Sequence, residues 1–519
     1  MVASDAQSYW QYLERAGAQL SSETTTRIQT VLEACNWEDP QTSLDWINLG
    51  ILGLIEAEQA EDLNLREMFL EMALSAFQNG SEHPLGPVYE AMIQALLGES
   101  TKATEVCFWY YIKLSESICI SSEGSSCGLI YLPRINKYLP GYQAEQLARL
   151  LTLEDGRTQA LFLVVEVLSR ALFVFYNSSG LRLSQLAQQV YSGSASINLR
   201  LGLSRLSNYL IEGLLDLYRA HELAPDNPRI LQSLVLANCD LKRWESASHW
   251  LQKAQEKADK NGPDWRWTTL NLENRFTYIP FEGLLLTVEA SLRSIVTRVL
   301  LAENDWFEKE MEFWRSQLKP GMVVIDVGAN VGIYTFSAAT RVGSTGRVLA
   351  IEPFSDCVTF LKETCRLNQL DSVKVVAGAA SDSCGLIRLA LSSASELHQV
   401  VDETEQLPEG TKVVKVDSFT LDYLAEQENL SRLDFLKIDA EGHELAVLRG
   451  SKKLLKQFAP IILYENIAGT NESNLEVTNF LRSQGYQIYR YQPYLQKLIP
   501  IEKAIDMQYC LNLLAISIN

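Results

Sequence analysis

Asp326-Val327-Gly328-Ala329-Asn330-Val331-Gly332 follows directly on the apolar run Met322-Val323-Val324-Ile325 and leads into Ile333-Tyr334-Thr335-Phe336-Ser337-Ala338-Ala339. The apolar run predicts a buried parallel strand, the glycines a backbone turn free of Cβ, and the last stretch the helix that the turn opens. A strand, glycine loop and helix in that order bring a cofactor close to the backbone and aim N–H groups at a negative group.

A dinucleotide fingerprint, Gly-x-Gly-x-x-Gly, is poorly matched, because Asn330 stands at the middle glycine and Ile333 follows Gly332. A pyrophosphate site is therefore disfavoured. Asp326 ends the strand, where an acid can hold an ammonium, beside N–H groups that can take a carboxylate. A second strand, Arg347 to Ile351, ends in Glu352-Pro353, placing an acid where the two hydroxyls of a ribose would lie. An amino acid joined to a nucleoside is S-adenosylmethionine, which makes Asp326, Gly328, Asn330, Gly332 and Glu352 the expected cofactor residues. The bland alternative, in which Asp326 caps a helix and Glu352 is a surface acid, leaves unexplained why both terminate apolar strands beside the loop.

From about Ile279 onward the chain resembles the FkbM family of S-adenosylmethionine-dependent methyltransferases. The blocks that carry the resemblance are "GMVVIDVGANVGIYTFSAA", "GRVLAIEPF", "AASDSCG", "VKVDSFTLDYL", "LDFLKIDAEGHELAVLRGS" and "PIILYEN". The resemblance implies methyl transfer to a hydroxyl on a sugar or natural product, on a Rossmann-like seven-stranded methyltransferase sheet. It also implies that the adenine lies near the end of the third strand, Val373 to Ala377, where Ser381 and Asp382 could bond it. A helix bearing Trp306-Phe307-Glu308 resembles the family's lead-in segment and could close over the cofactor.

Leu433 to Ile438 reads as the fourth strand, so Asp439 falls on the same sheet edge as Asp326 and Glu352, with Glu441, Gly442 and His443 turning into a helix. Methyl transfer to a hydroxyl needs alignment and a base. His443 is the expected base by its ordinary pKa, and Asp439 and Glu441 the acids that orient it or bind the acceptor. The other reading of His443 is a helix-start residue bonded to backbone. Lys437, inside an apolar strand, is expected to pair with a carboxylate or to snorkel. The fifth strand, Pro460 to Tyr464, ends in Glu465-Asn466. Asp439 with Glu465 and Asn466 is similar to the arrangement by which catechol-type methyltransferases bind magnesium, so Mg2+ on these three is the alternative to a metal-free site. Gln487–Tyr491 and Asn512–Ile516 are expected to complete the sheet.

The 519 residues exceed one ordinary core, and the net charge of −19 argues against nucleic acid or an anionic membrane as partner. Nine cysteines without a Cys-x-x-Cys pair suggest neither a zinc cluster nor a disulfide framework. The start of the chain lacks a basic stretch followed by an apolar core, and Leu161–Tyr176 is interrupted by Glu166 and Arg170. The expectation is a cytoplasmic protein without a membrane span.

The first half is rich in Leu, Ala, Gln and Glu at helical spacing and predicts an all-α domain. Tyr218 to Lys257 resembles a tetratricopeptide repeat, with Ala220, Pro228 and Ala247 in places matched upstream by Ala76, Pro84 and Ala103. An ordinary helical bundle is the competing reading. Asp259 to Asp264 breaks the pattern. The expected organisation is therefore a helical, tetratricopeptide-like domain over 1–260, a linker over 261–277 and a methyltransferase domain over 278–519. Leu284 to Trp314 is expected to be amphipathic helix, and Ser392 to Gly410 a polar loop shaping the acceptor pocket. Two functions follow: an O-methyltransferase acting on a small-molecule or glycan acceptor, with a protein partner on the helical domain, or a scaffold that keeps the cofactor without turnover.

Overall fold

The computed structural model describes residues 2–120, 124–133, 140–171, 178–190, 192–258, 262–391, 399–401, 411–466, 473–508 and 510–518. Contacts divide the chain into two units, Met1–Pro225 and Asp226–Asn519. Most of the loop expected over Ser392–Gly410 lies outside the described residues. Among the described residues, no helix is long and apolar enough to cross a membrane.

The first unit is helical, and successive helices pair: Ser43–Gln59 packs on Leu63–Asn79, and Ala195–Ser207 on Gly213–Leu223. Good caps delimit them. Thr42 and Asp45 form a reciprocal capping box at the start of Ser43–Gln59. Through this unit runs an extended stretch, residues 124–133, that belongs to no sheet although Leu129, Ile130, Tyr131 and Leu132 are buried. Its backbone is satisfied by side chains instead. The Tyr9 hydroxyl donates to Ile130 O and accepts from Ile130 N, Tyr12 does the same for Leu132, and Tyr89 for Tyr131. The Leu129 N–H donates to Asn48 and the Gly128 N–H to Gln159. Each tyrosine thus stands in for a missing neighbouring strand.

The second unit begins with the helix pair Pro228–Asp240 and Trp244–Lys257, assigned on sequence to the helical half. The Gln232 amide donates to Thr277 Oγ1 and Tyr278 O, and Leu231, Val235 and Ala254 share an apolar cluster with Trp267 and Tyr278. The contact division falls at Pro225, inside the segment read as a repeat. Within the expected linker, Pro263–Thr269 forms a 3-10 helix that buries Trp267.

Strands β1 (Phe276–Phe281) and β2 (Leu284–Glu289) form a hairpin. Leu284–Glu289 is strand rather than the expected helix because Glu282 and Gly283 both adopt positive φ, at 50° and 81°, as a two-residue hairpin turn requires. Helix is confined to Ile295–Glu303 and Glu310–Gln317, and Trp306-Phe307-Glu308 is an irregular connection between them rather than the expected helix.

The remaining strands are β3 (Val323–Val327), β4 (Arg347–Glu352), β5 (Val373–Ala377), β6 (Ala379–Ala380), β7 (Gly385–Leu391), β8 (Gln399–Val401), β9 (Lys412–Phe419), β10 (Phe435–Ile438), β11 (Ile461–Glu465), β12 (Tyr486–Gln492), β13 (Lys497–Pro500) and β14 (Asn512–Ser517). The main sheet has the order β13-β12-β14-β11-β10-β3-β4-β5. Strands β5, β4, β3, β10 and β11 run parallel, and β14 is antiparallel to both its neighbours. The sheet has eight strands, not the expected seven, because β13 folds back antiparallel on β12 and covers what would have been its free edge. The smaller sheet, β6-β9-β7-β8, takes up the additional strands expected near 387–391 and 412–416. Apolar residues of β3, β4, β10 and β11 form the core, so the carboxyl ends of these strands deliver their acids to one edge.

Replacing Tyr9, Tyr12 or Tyr89 by Phe keeps the ring but leaves a buried N–H and C=O unpaired. Each should cost about 1–3 kcal/mol in chemical denaturation of the full chain. Unchanged midpoints in all three variants would show that packing alone holds the extended stretch.

Candidate functional site

The site begins where β3 ends. Gly328 has φ +74°, and a Cβ there would overlap the carbonyl oxygen of Asp439 at the end of β10. Gly328 N and Ala329 N both donate to Ile351 O of β4, and Asp439 N donates to Val327 O. The loop is thereby fastened to both neighbouring strands. Asn330, at the position where a dinucleotide loop has glycine, adopts a left-handed φ of 49° and accepts the Val331 N–H on its own side chain. Gly332 precedes the helix Ile333–Val342 without a side-chain cap.

Asp326 is buried, accepting from Thr335 Oγ1 at 2.6 Å through one oxygen, while Oδ1 has no hydrogen-bond partner among the described residues. Burial raises its pKa, against the lowering effect of the nearby Lys437. Glu352 accepts from Asn330 N and Phe354 N, each at 2.8 Å. Burial pushes its carboxyl up to about 7, against those two bonds. Two backbone bonds leave part of a carboxylate's roughly four acceptor positions open.

At the end of β10, Lys437 Nζ donates to Asp439 Oδ2 at 2.8 Å, which meets the expectation that this lysine pairs with a carboxylate. Glu441 follows with φ 50° and Gly442 with φ 95°. Holding a non-glycine residue in that region stores strain, which the surroundings must offset. Glu444 does so: fully buried, it accepts from Ala440 N and Gly442 N at 3.0 Å and from Asn474 Nδ2 at 3.2 Å. Its role was missed on sequence, although an acid opening a helix after a glycine is the signal that could have found it.

His443 starts the helix Glu444–Arg449, and its Nε2 lies 3.0 Å from Ser381 Oγ. The structure thus joins the expected base to one expected adenine residue. Ser381 is buried, whereas Asp382 is exposed and accepts from Ser383 Oγ. Glu308 was expected as a possible polar contact of the lead-in segment. It is half-buried, accepting from Tyr334 OH at 2.6 Å and Asn512 Nδ2 at 2.9 Å, and loss of solvation raises its pKa.

The expected metal set changes composition. Asn466 is turned away: its amide donates to Met507 O and Cys510 O, and its oxygen accepts from Asn474 N. Glu441 takes its place, with carboxylate oxygens of Asp439, Glu441 and Glu465 within 4.8 Å of one another. Glu465 Oε2 is buried with no hydrogen-bond partner among the described residues. Burial, with Asp439, Glu441 and Glu444 nearby, holds its carboxyl well above the usual range.

Comparison with known proteins finds similarity over the C-terminal part of the chain. Residues 326–488 match the family model described as the methyltransferase FkbM domain. A curated relative, Methyltransferase 1 of Beauveria bassiana, is 29% identical over 149 residues, covering 24% of this chain and 57% of that protein. The chain thus spans a little over half the length of the curated relative it matches. Among solved structures, the FkbM methyltransferase of Methylobacillus flagellatus is 17% identical, with 44% of this chain and 54% of that chain covered at a TM-score of 0.26. An O-methyltransferase from Bacillus cereus, solved in complex with SAH, is 14% identical, with 41% and 83% covered at a TM-score of 0.25. The stretch matched by the methyltransferase FkbM family model, residues 326–488, holds the β3 loop, Glu352 and the Asp439 turn.

Proposed function

We propose that this protein is an S-adenosylmethionine-dependent methyltransferase that modifies a hydroxyl on a sugar, glycoconjugate or small metabolite. The observation that carries the reading is the charge of the strand-end rim. Asp326, Glu308, Glu352 and Glu465 each interact there with Asp439, and Asp326, Glu308, Glu465 and Asp439 with the Lys437 ammonium. Such an excess of carboxylate favours a cationic ligand.

The residues fit the cofactor. Asp326 has an unused buried oxygen, Glu352 retains acceptor positions for a ribose, and no side chain caps the helix start after Gly332. Gly328, Asn330 and Gly332 would shape the loop around its amino-acid end, and Ser381 and Asp382 would border the adenine. When bound, S-adenosylmethionine supplies an electrophilic methyl group on a sulfonium. The chain's part is to align the acceptor and receive its proton. His443, held through Nε2 by Ser381, is proposed as the base, with Asp439 and Glu441 binding the acceptor. The helical unit is proposed to hold the acceptor or a partner protein.

Glu465 favours a second reading. Its unpartnered oxygen beside Asp439 and Glu441 suits a hard divalent ion such as Mg2+, which would acidify an acceptor hydroxyl. The metal-free route is placed first because Asp439 already has a cationic partner in Lys437.

Calorimetric titration tests the cofactor. Glu352→Ala should weaken S-adenosylmethionine binding by roughly thirtyfold, the equivalent of about 2 kcal/mol. Because Glu352 ionises near 7, binding to the unaltered protein should strengthen from pH 6 to pH 8, and Glu352→Ala should flatten that slope. Unchanged affinity in a folded variant removes Glu352 from the site. For the base, His443→Ala should lower turnover by about two to four orders of magnitude while cofactor binding persists and EDTA has no effect. Abolition by EDTA with rescue by magnesium, and a mild His443→Ala, would select the metal reading.

A further inference from the structure

In the first unit the helix Ser100–Ile120 packs on Leu85–Leu96 and Gly156–Ala171, with Ala103, Cys107 and Leu114 on its buried face. The opposite face is open to water. Trp109 is 77% exposed there, and Val106 and Ile112, three residues before and after it, are exposed as well. Lys102, Glu105, Lys113 and Glu116 are exposed on the same face. At 3.6 residues per turn all of these lie within an arc of about 120° centred on Trp109. Single exposed apolar residues need no explanation, but a tryptophan with an aliphatic residue one turn away on each side forms a stripe.

We propose that a second copy of this chain docks on this face, the two Ser100–Ile120 helices meeting antiparallel about a two-fold axis at Trp109. The order of the residues identifies the occupant. Counting outward from Trp109, three steps reach Val106 on one side and Ile112 on the other, both apolar. Four steps reach Glu105 and Lys113, and seven reach Lys102 and Glu116, opposite in charge each time. An antiparallel two-fold sets each residue level with the one equally far beyond Trp109 in the other copy. Apolar therefore meets apolar, each glutamate meets a lysine, and the two tryptophans meet at the centre, where such residues contribute most to an interface. A parallel pair would set every charge level with itself, which is repulsive. An unrelated partner gives no reason for this inverted order. Two glutamates in the stripe, on a chain of net charge −19, also disfavour an anionic lipid surface. Little has to be given up on docking: Lys102 has a solvent-exposed ion pair with Glu99 at 3.3 Å, which is cheap to exchange. One helix per chain is a small seam beside the roughly 1,600 Å² of a standard interface, so the association should be weak, on the order of micromolar.

Sedimentation of the full chain from about 1 to 100 µM tests this. The chain should pass from monomer to dimer over that range, and Trp109→Ala should weaken the association by roughly thirtyfold or more. Because Trp109 is exposed, the variant should melt where the unaltered protein does. A charge exchange reads the antiparallel order separately. K102E/K113E makes the stripe's charges all acidic, and E105K/E116K makes them all basic. Each should stay monomeric alone, and an equimolar mixture should form a dimer of one with the other. A chain that stays monomeric to about 100 µM overturns the proposal. So does a monomer that binds anionic phospholipid vesicles through Trp109, which makes a lipid surface the occupant. A dimer that Trp109→Ala leaves intact puts the contact on another face and overturns this one. Folded charge variants that each dimerise alone, or that fail to pair on mixing, overturn the antiparallel order.

Discussion

The carboxyl ends of β3 and β10 approach so closely that the Asp439 carbonyl occupies the space a side chain at 328 would need. Only a residue without Cβ, able to take φ +74°, lets the two strands stay paired to their last residues. That approach sets Asp326, Lys437 and Asp439 side by side, and Asp439 N is bonded to Val327 O to keep them there. The adjoining turn is locked by Glu444, which collects two of its N–H groups on one carboxylate oxygen.

The second consequence is electrostatic. A parallel sheet that ends several strands in acids at one edge concentrates like charge in a partly dry place, where each carboxylate raises the pKa of the others. The protein offsets this in three visible ways: with a buried lysine, with backbone N–H groups on Glu352 and Glu444, and with hydroxyl donors from Thr335 and Tyr334. Asp326 Oδ1 and Glu465 Oε2 remain without hydrogen-bond partners among the described residues. Those two atoms mark where a cationic ligand or ion would gain most.

Much of this edge was legible in the sequence, because an acid directly after a short apolar run reports the end of a buried strand. Asp326, Glu352, Asp439 and Glu465 were all found that way: Glu352 and Glu465 end their strands, Asp439 directly follows β10, and Asp326 is the last residue but one of β3. What was not legible depends on side-chain direction. Asn466 follows Glu465 in sequence but faces the Met507–Cys510 turn, and nothing in the pair Glu-Asn reveals it. Hairpins defeated the periodicity twice, at Glu282-Gly283 and in the return of β13 on β12, since a four- to six-residue apolar run reads equally as strand or helix turn. The extended stretch through the helical unit left no periodic signal at all, because its backbone partners are tyrosine, asparagine and glutamine side chains from distant helices.

The central claim is that this edge holds S-adenosylmethionine through Glu352 and the 326–332 loop. A crystal structure of the protein grown with that cofactor tests it most directly. The account predicts the ribose hydroxyls on Glu352 and the amino-acid end over Gly328–Gly332, beside Asp326. A cofactor bound elsewhere on the chain, or at this edge with its ribose away from Glu352, would contradict it.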